Sequence, residues 1–195
     1  GLNYTSFRGV PFKSSNMRTT ICFILLSAST AFGQMHQYQK DFTKINENLM
    51  LTLGSYAFGN FAVSGAACFV SEDQATKRFH EMNVMWNTVN LGLAVPGYIK
   101  AKRGGKALTF EEMIKEQRKT ETIFLVNDVL DLGYIATGIW MRNEAVNQGD
   151  RADMFKGYGN SLILQGSFLL AFDAYAYYLH RNHAKQLLML DKVSV

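Results

Sequence analysis

The sequence is poor in charge, proline and cysteine, and these shortages narrow its class. Charged residues make up 18% of the 195 residues, against about a quarter in soluble domains. The chain holds two prolines, and hydrophobic residues reach 48%. Because the apolar residues gather in blocks of about twenty, with short charged stretches between them, the composition favours a helical membrane protein.

The scarcity of cysteine and of basic clusters excludes several kinds of site. Cys22 lies in a predicted export signal, so the mature chain keeps Cys68 as one thiol and forms no intramolecular disulfide or cysteine metal site. Basic residues flank the apolar blocks and are not interleaved with aromatics, which excludes a nucleic-acid partner. His80 and His180 would lie at opposite membrane faces, so the sequence predicts no metal site and no cofactor.

A secretory signal is predicted at residues 17–33. It opens with Met17 and Arg18, continues as an apolar stretch and ends in small residues typical of a cleavage site. The apolar stretch, of about a dozen residues, is short for a membrane span. Residues 1–16 are interpreted as upstream translation or a cloning remnant, and the mature chain would begin at Gln34. An uncleaved anchor is the alternative.

Four apolar blocks in the single domain 34–195 approach the length of a membrane-spanning helix. The second is the weakest, because it is short, rich in Asn and broken late by Pro96. Short connections predict two antiparallel hairpins, so the fold class is all-α, an integral membrane four-helix bundle. A soluble bundle is disfavoured because the first block has no polar face. The predicted spans are 48–70, 83–99, 122–141 and 158–180.

Small residues recur in the first block and would let helix backbones approach closely, as is usual in lipid. They are Gly54, Gly59, Ala62, Gly65 and Ala66. A shift of 73 residues also suggests that the second hairpin duplicates the first. It places Gly65 on Gly138, Arg78 on Arg151 and Asn87 on Asn160. Chance similarity between apolar helices accounts for three identities equally well.

Polar residues inside the apolar blocks form the candidate binding site. At 1.5 Å per residue, all four helices carry such groups to one layer, roughly 9 to 18 Å from the face where the first block begins. No Lys or Arg lies within a span to neutralise the aspartates, which should be protonated, hydrated or holding a cation. The alternative is hydrogen-bonded packing between helices. The candidates are Tyr56, Asn60, Asn87, Asn90, Asn127, Asp128, Asp131, Asp173 and Tyr177.

Two signals of orientation disagree. A cleaved leader places the mature N-terminus on the periplasmic side of a bacterial inner membrane, and the connection 100–121 with it. That connection holds seven basic and four acidic residues, and the positive-inside rule would place it in the cytoplasm. We give precedence to the leader because its cleavage site is specific, whereas the charge bias is statistical.

Three polar strings within apolar sequence resemble a family of small bacterial membrane proteins of unknown function. They are FHEMNVMWNTVNLG at 79–92, NDVLDLGYIATG at 127–138 and KGYGNSLILQG at 156–166. The resemblance extends over about residues 45–183. It implies four spans and a location in the bacterial envelope, and it implies no activity.

Two functions fit these observations. The first is a non-enzymatic membrane protein, surrounded by the lipid bilayer, that acts as an assembly partner for another protein or for copies of itself. The second is a small transporter, channel or sensor in which Asp128, Asp131 and Asp173 bind a proton or cation. An enzyme is disfavoured because no catalytic arrangement is found. Three aspartates that converge on a cavity open to one face would favour the second function, and aspartates each capped by Asn or Tyr without a cavity would favour the first.

Overall fold

The computed structural model describes the backbone of residues 14–193 and the side chains of residues 33–187 and 189. Within these bounds the chain is helical and contains no strand, which confirms the all-α prediction. Two short 3-10 turns, Ala145–Asn147 and Gly149–Arg151, connect the third helix to the fourth. The helices are α1 (Ser14–Val70), α2 (Gln74–Arg103), α3 (Phe110–Glu144) and α4 (Ala152–Val193).

The predicted leader coincides with the start of α1. Residues 1–13 and the side chains of 14–32 lie outside the described residues, so the signal peptide and its cleavage before Gln34 stay predictions. The polar stretch that precedes the first predicted span is helical and continuous with that span. The first helix is therefore much longer than the predicted span.

α2 and α4 form the middle of the bundle. α1 packs along α2, α3 packs along α4, and α2 packs along α4, whereas the contact between α1 and α4 is smaller. The hairpins α1–α2 and α3–α4 are the pairs expected from the short connections. We call the end that carries residues 71–73 and 145–151 the hairpin end, and the end that carries residues 104–109 the loop end.

Local sequence accounts for where the helices begin and end. Asp73 caps α2, since its side chain accepts hydrogen bonds from the Thr76 backbone nitrogen at 2.7 Å and hydroxyl at 2.6 Å. Thr109 and Glu112 form a capping box at the start of α3. α2 ends at Gly104, whose φ of +68° is accessible to glycine without strain.

Glycines of α3 and α4 bring the backbones of these two helices close together. A Cβ atom added to Gly138 would lie 2.6 Å from the Gly159 carbonyl oxygen, and one added to Gly159 would lie 2.7 Å from the Gly138 oxygen. Gly166 is similarly close to Ile135, at 2.9 Å. These glycines let the two backbones come into contact, as small residues do in membrane helices.

Of the small residues of α1, Gly54 packs against another helix of the chain, whereas Gly59, Ala62, Gly65 and Ala66 do not. Gly54 lies against α2, with its added Cβ 3.4 Å from the Ala94 side chain. Gly59 and Gly65 have no atom of another helix within 4 Å of an added Cβ. The prediction was wrong for these positions because α1 is an outer helix that turns this face away from the bundle. Ala62 and Ala66 are likewise exposed.

The proposed duplication is not reflected in matching environments. Gly65 meets no neighbouring helix, whereas Gly138 is in backbone contact with α4. Asn87 is fully buried, whereas Asn160 is half-buried. The two hairpins share their helix order, but the residues paired by the 73-residue shift lie in different environments.

The bundle carries apolar side chains on its outer faces, and its interior holds polar side chains as well as an apolar core. On α2, Met85 and Leu93 are 56% and 62% exposed, whereas Asn83, Asn87 and Asn90 are almost fully buried. A helix in a water-soluble bundle shows the reverse pattern. Exposed apolar residues of α3 include Leu125, Val126, Val129, Leu130, Leu132 and Ile139.

Three of the four helices are long and apolar enough to cross a membrane. They lie within Gly33–Val70, Phe110–Asn147 and Gly149–Leu187. α2, predicted as the second of four spans, does not reach this hydropathy. Its average is lowered by buried asparagines and by terminal charges, although much of its exposed surface is apolar.

Candidate functional site

Two of the three predicted aspartates meet where α3 packs on α4. Asp131 is 3% exposed and Asp173 is 5% exposed, and their carboxyl groups are near enough to interact with each other. Asp128, one turn earlier in α3, is near enough to act electrostatically on both. Carboxyl groups can share a hydrogen bond when one of them carries a proton. The arrangement is therefore suited to holding a proton between two helices.

The aspartates have no basic partner. No ion pair in the described part of the chain includes Asp128, Asp131 or Asp173. The Asn127 side chain lies close to Asp173, and Asp131 Oδ2 and Asp128 Oδ1 are buried without a hydrogen-bond partner. A buried carboxylate without countercharge is costly, and a proton or a bound cation removes that cost.

A second polar group is centred on Asn83, which was not among the predicted site residues. Asn83 Oδ1 accepts hydrogen bonds from Ser161 Oγ at 2.7 Å and Gln165 Nε2 at 2.9 Å. Asn83 Nδ2 donates to Ser64 Oγ at 3.3 Å, and Gln165 Oε1 accepts a bond from the Tyr56 hydroxyl at 3.4 Å. Asn83 thus joins α1, α2 and α4 through bonds that satisfy its own amide, which is the behaviour of a packing network.

Sequence reasoning missed Asn83 because it stands at the edge of the predicted second span, where contact with headgroups is expected. Its spacing to Asn87 and Asn90, four and seven residues, places the three amides on one face of the helix. That periodicity is the signal that could have identified it. The predicted span began at residue 83, which put Asn83 at its edge. In the structure α2 begins nine residues earlier, so Asn83 lies inside the helix.

The other predicted residues divide between the two groups and the surrounding core. Tyr56 stacks on Phe168 with ring centres 3.3 Å apart. Asn60 donates to the Tyr56 carbonyl oxygen of its own helix at 3.1 Å, and Tyr177 packs against the apolar core of the bundle. These contacts give Asn60 and Tyr177 local structural roles, and they do not bring either to the carboxyl pair.

The asparagines of α2 keep unused hydrogen-bonding capacity. Asn87 donates to the Asn83 carbonyl oxygen at 2.7 Å, leaving its own Oδ1 without a partner. Asn90 Nδ2 and the Trp86 indole nitrogen are also buried and unpartnered. Trp86 meets Tyr134 of α3 edge-on at 4.7 Å, so this face of α2 adjoins the helix that carries Asp131.

A third polar group lies at the loop end, around Gln117. Gln117 accepts a hydrogen bond from the Tyr38 hydroxyl at 2.7 Å and donates to Glu121 at 2.9 Å and to the His180 carbonyl oxygen at 2.7 Å. Glu121 pairs with Arg181 at 3.3 Å. Residues far apart in sequence are thereby tied together where α1, α3 and α4 converge.

The two histidines of α4 are buried, although His180 was expected at a membrane face. His180 is fully buried and His183 is 6% exposed. His183 stacks on Tyr38 at 4.0 Å, and His180 lies between Phe42 and Phe124. Aromatic packing from α1 and α3, which sequence spacing does not reveal, removes these rings from the surface. Within the described residues, no three His, Cys, Asp or Glu side chains are placed to hold a metal ion.

Comparison with known proteins identifies a family. A search of curated proteins and a search of solved structures return no match. The model of a family of unknown function, DUF6992, matches residues 52–174, a segment that contains the carboxyl pair and the Asn83 network. Because the match covers more than half of the 195 residues, the chain belongs to this family of unknown function.

Proposed function

We propose that this protein is a small integral membrane transporter, channel or sensor that binds a proton, or a cation in its place, between Asp131 and Asp173. The observation that carries the proposal is the contact of two buried carboxyl groups from different helices with no basic partner. The convergence of two of the three aspartates supports this function over a purely structural role.

The pair gives α3 and α4 two states. With a proton between them, Asp131 and Asp173 attract each other through a hydrogen bond. When the proton leaves, two negative charges face each other in a poorly polarisable interior and repel. The repulsion favours a separation of the helices or the entry of a cation, and either change would transmit the state of the pair to the rest of the bundle.

We place the protein in the bacterial inner membrane, with α2 as a fourth span and the mature N-terminus in the periplasm. The apolar exposed residues of α2 support its insertion, because its three asparagines point into the bundle and not toward lipid. The orientation rests on the predicted leader. The loop end, with its excess of basic residues, would then face the periplasm.

Infrared difference spectroscopy tests proton binding directly. In liposomes at neutral pH, we expect a carboxylic-acid carbonyl band that shifts in heavy water. Asp131→Asn and Asp173→Asn should each abolish it, since either change removes the shared proton. Asp150→Asn, an exposed position at the hairpin end, should leave it unchanged. A parent spectrum without the band would contradict the proposal.

The same preparations distinguish transport from sensing. The vesicles contain a pH-sensitive dye, and a pH gradient is imposed across their membrane. If the protein is a transporter or channel, vesicles with the parent protein should lose the gradient faster than vesicles with Asp131→Asn. If the gradient persists while the infrared band is present, the pair acts in a sensor.

A second candidate function is assembly with another membrane helix. The exposed face of α1 that carries Gly59, Ala62, Gly65 and Ala66 meets no other helix of the chain. Small residues repeated on one helix face favour close helix contact in lipid. A second copy of this chain would supply such a helix.

A further inference from the structure

A groove at the loop end opens between α1, the last turns of α2 and the first half of α3. Its volume is about 480 Å³. α1 and α3 are not nearest neighbours in the bundle, so the space between them is closed by side chains and by loop 104–109. We call this space the loop-end groove.

The inner wall of the loop-end groove is apolar and held in place from behind. Met50, Phe42 and Phe124 contribute to it, together with Ile123, which is 48% exposed. Phe42 and Phe124 are buried and pack on the His180 ring, with ring centres 5.1 and 5.6 Å away. This wall is therefore a fixed surface suited to an apolar chain.

The rim of the loop-end groove is basic. Lys100, Lys106 and Lys119 come from α2, the loop and α3. Lys106 pairs with Glu112 at 2.8 Å, whereas Lys100 and Lys119 enter no ion pair within the described part of the chain. Glu116 is the acidic residue among the groove residues, so positive charge predominates at the rim.

The spacing of rim and wall matches the boundary between lipid headgroup and acyl chain. Lys119 and Phe124 are five residues apart in α3, which is roughly 7 Å along a helix. The predicted span begins between them, at residue 122. A ligand that contacts both needs an anionic head joined to a long apolar tail. A free anion would leave the apolar wall uncovered, and a zwitterionic lipid would bring an ammonium group, as well as its phosphate, next to the basic rim.

We propose that the loop-end groove is a binding site for an anionic phospholipid, with its phosphate at Lys100 and Lys119 and an acyl chain along Phe42 and Phe124. The site rests on the proposed function for its placement in a membrane, but it does not depend on the carboxyl pair. Basic pockets at the ends of membrane helices bind anionic headgroups in this way.

Native mass spectrometry of the detergent-solubilised protein tests the site. Phosphatidylglycerol should bind more tightly than phosphatidylcholine with the same acyl chains. Substituting both lysines, in Lys100→Gln/Lys119→Gln, should weaken phosphatidylglycerol binding by roughly 25-fold, at about fivefold for each charge. Phosphatidylcholine binding should weaken much less, because its headgroup has no net charge.

Lys115→Gln is the matched control, because Lys115 is an exposed lysine of the same helix turn that pairs with Glu111 and does not line the groove. It should retain the preference for phosphatidylglycerol. Thr120→Phe keeps every charge but fills the groove, and it should weaken phosphatidylglycerol binding.

Three results would overturn the lipid site: equal binding of the two lipids, an equal loss with Lys115→Gln, or displacement of the lipid by inorganic phosphate alone. Alkaline carbonate extraction of cell membranes separates this failure from that of the proposed function. Protein released by carbonate contradicts membrane placement, whereas protein that resists carbonate but shows no lipid preference contradicts the groove site alone.

Discussion

At the scale of single residues, depth and helix face located the acid pair from sequence, and tertiary contacts decided the rest. Asp131 and Asp173 were expected in one layer, and they meet. Asn83 was missed because it stands at the edge of the predicted second span. His180 is buried by aromatic rings from two other helices. Pairwise contacts of this kind depend on how helices are rotated against one another, which a single sequence does not specify.

Replacing a glycine of α3 with alanine should lower the free energy of unfolding at one position and raise it at another. Gly138→Ala places a Cβ 2.6 Å from the Gly159 oxygen, so the backbones must separate, and we expect a loss of about 1–3 kcal/mol in unfolding free energy. Gly133→Ala, on the exposed side of α3 with no atom within 4 Å, should gain up to about 1 kcal/mol from helix propensity. Denaturant unfolding in mixed micelles measures both. A loss of equal size for the two variants would contradict the proposed packing.

At the scale of elements, the hairpins and three apolar helices followed from block length and short connections. The boundaries did not, since α1 and α4 extend far beyond their apolar blocks as polar helix. α2 corresponds to the weakest of the four apolar blocks in the sequence, and it is the helix that does not reach the hydropathy of a membrane span. Its inward asparagines explain why an average along the helix underestimates how apolar its exposed face is.

The unpartnered face of α1 gives a prediction at this scale. Ala62→Leu should reduce self-association in liposomes, measured by energy transfer between labelled copies, because the larger side chain prevents close helix contact. Gly92→Leu is the control, since Gly92 of α2 is equally exposed and without neighbours in the chain. If the parent shows no energy transfer, or if both variants lose it equally, assembly through this face is contradicted.

At the scale of the whole molecule, the decisive property is the reversal of polarity between inside and outside. Asp131, Asp173, Asn83 and Gln117 are all buried. Large apolar side chains, in contrast, cover the outer faces of α2 and α3. The gathering of apolar residues in blocks predicted a membrane protein, whereas the mean hydropathy, close to zero, could not. The mean averages buried polar residues with exposed apolar residues. It therefore conceals the difference in polarity between the inside and the outside of the bundle.

Spin labels on the outer faces test this reversal most directly. In a background with Cys22 and Cys68 replaced by serine, labels at Leu93→Cys and Val129→Cys should be accessible to oxygen and protected from a water-soluble nickel reagent in liposomes. A label at Asp150→Cys should show the opposite accessibility. If the labels at 93 and 129 are relaxed by nickel as strongly as the label at 150, the apolar faces lie in water and the membrane account is contradicted.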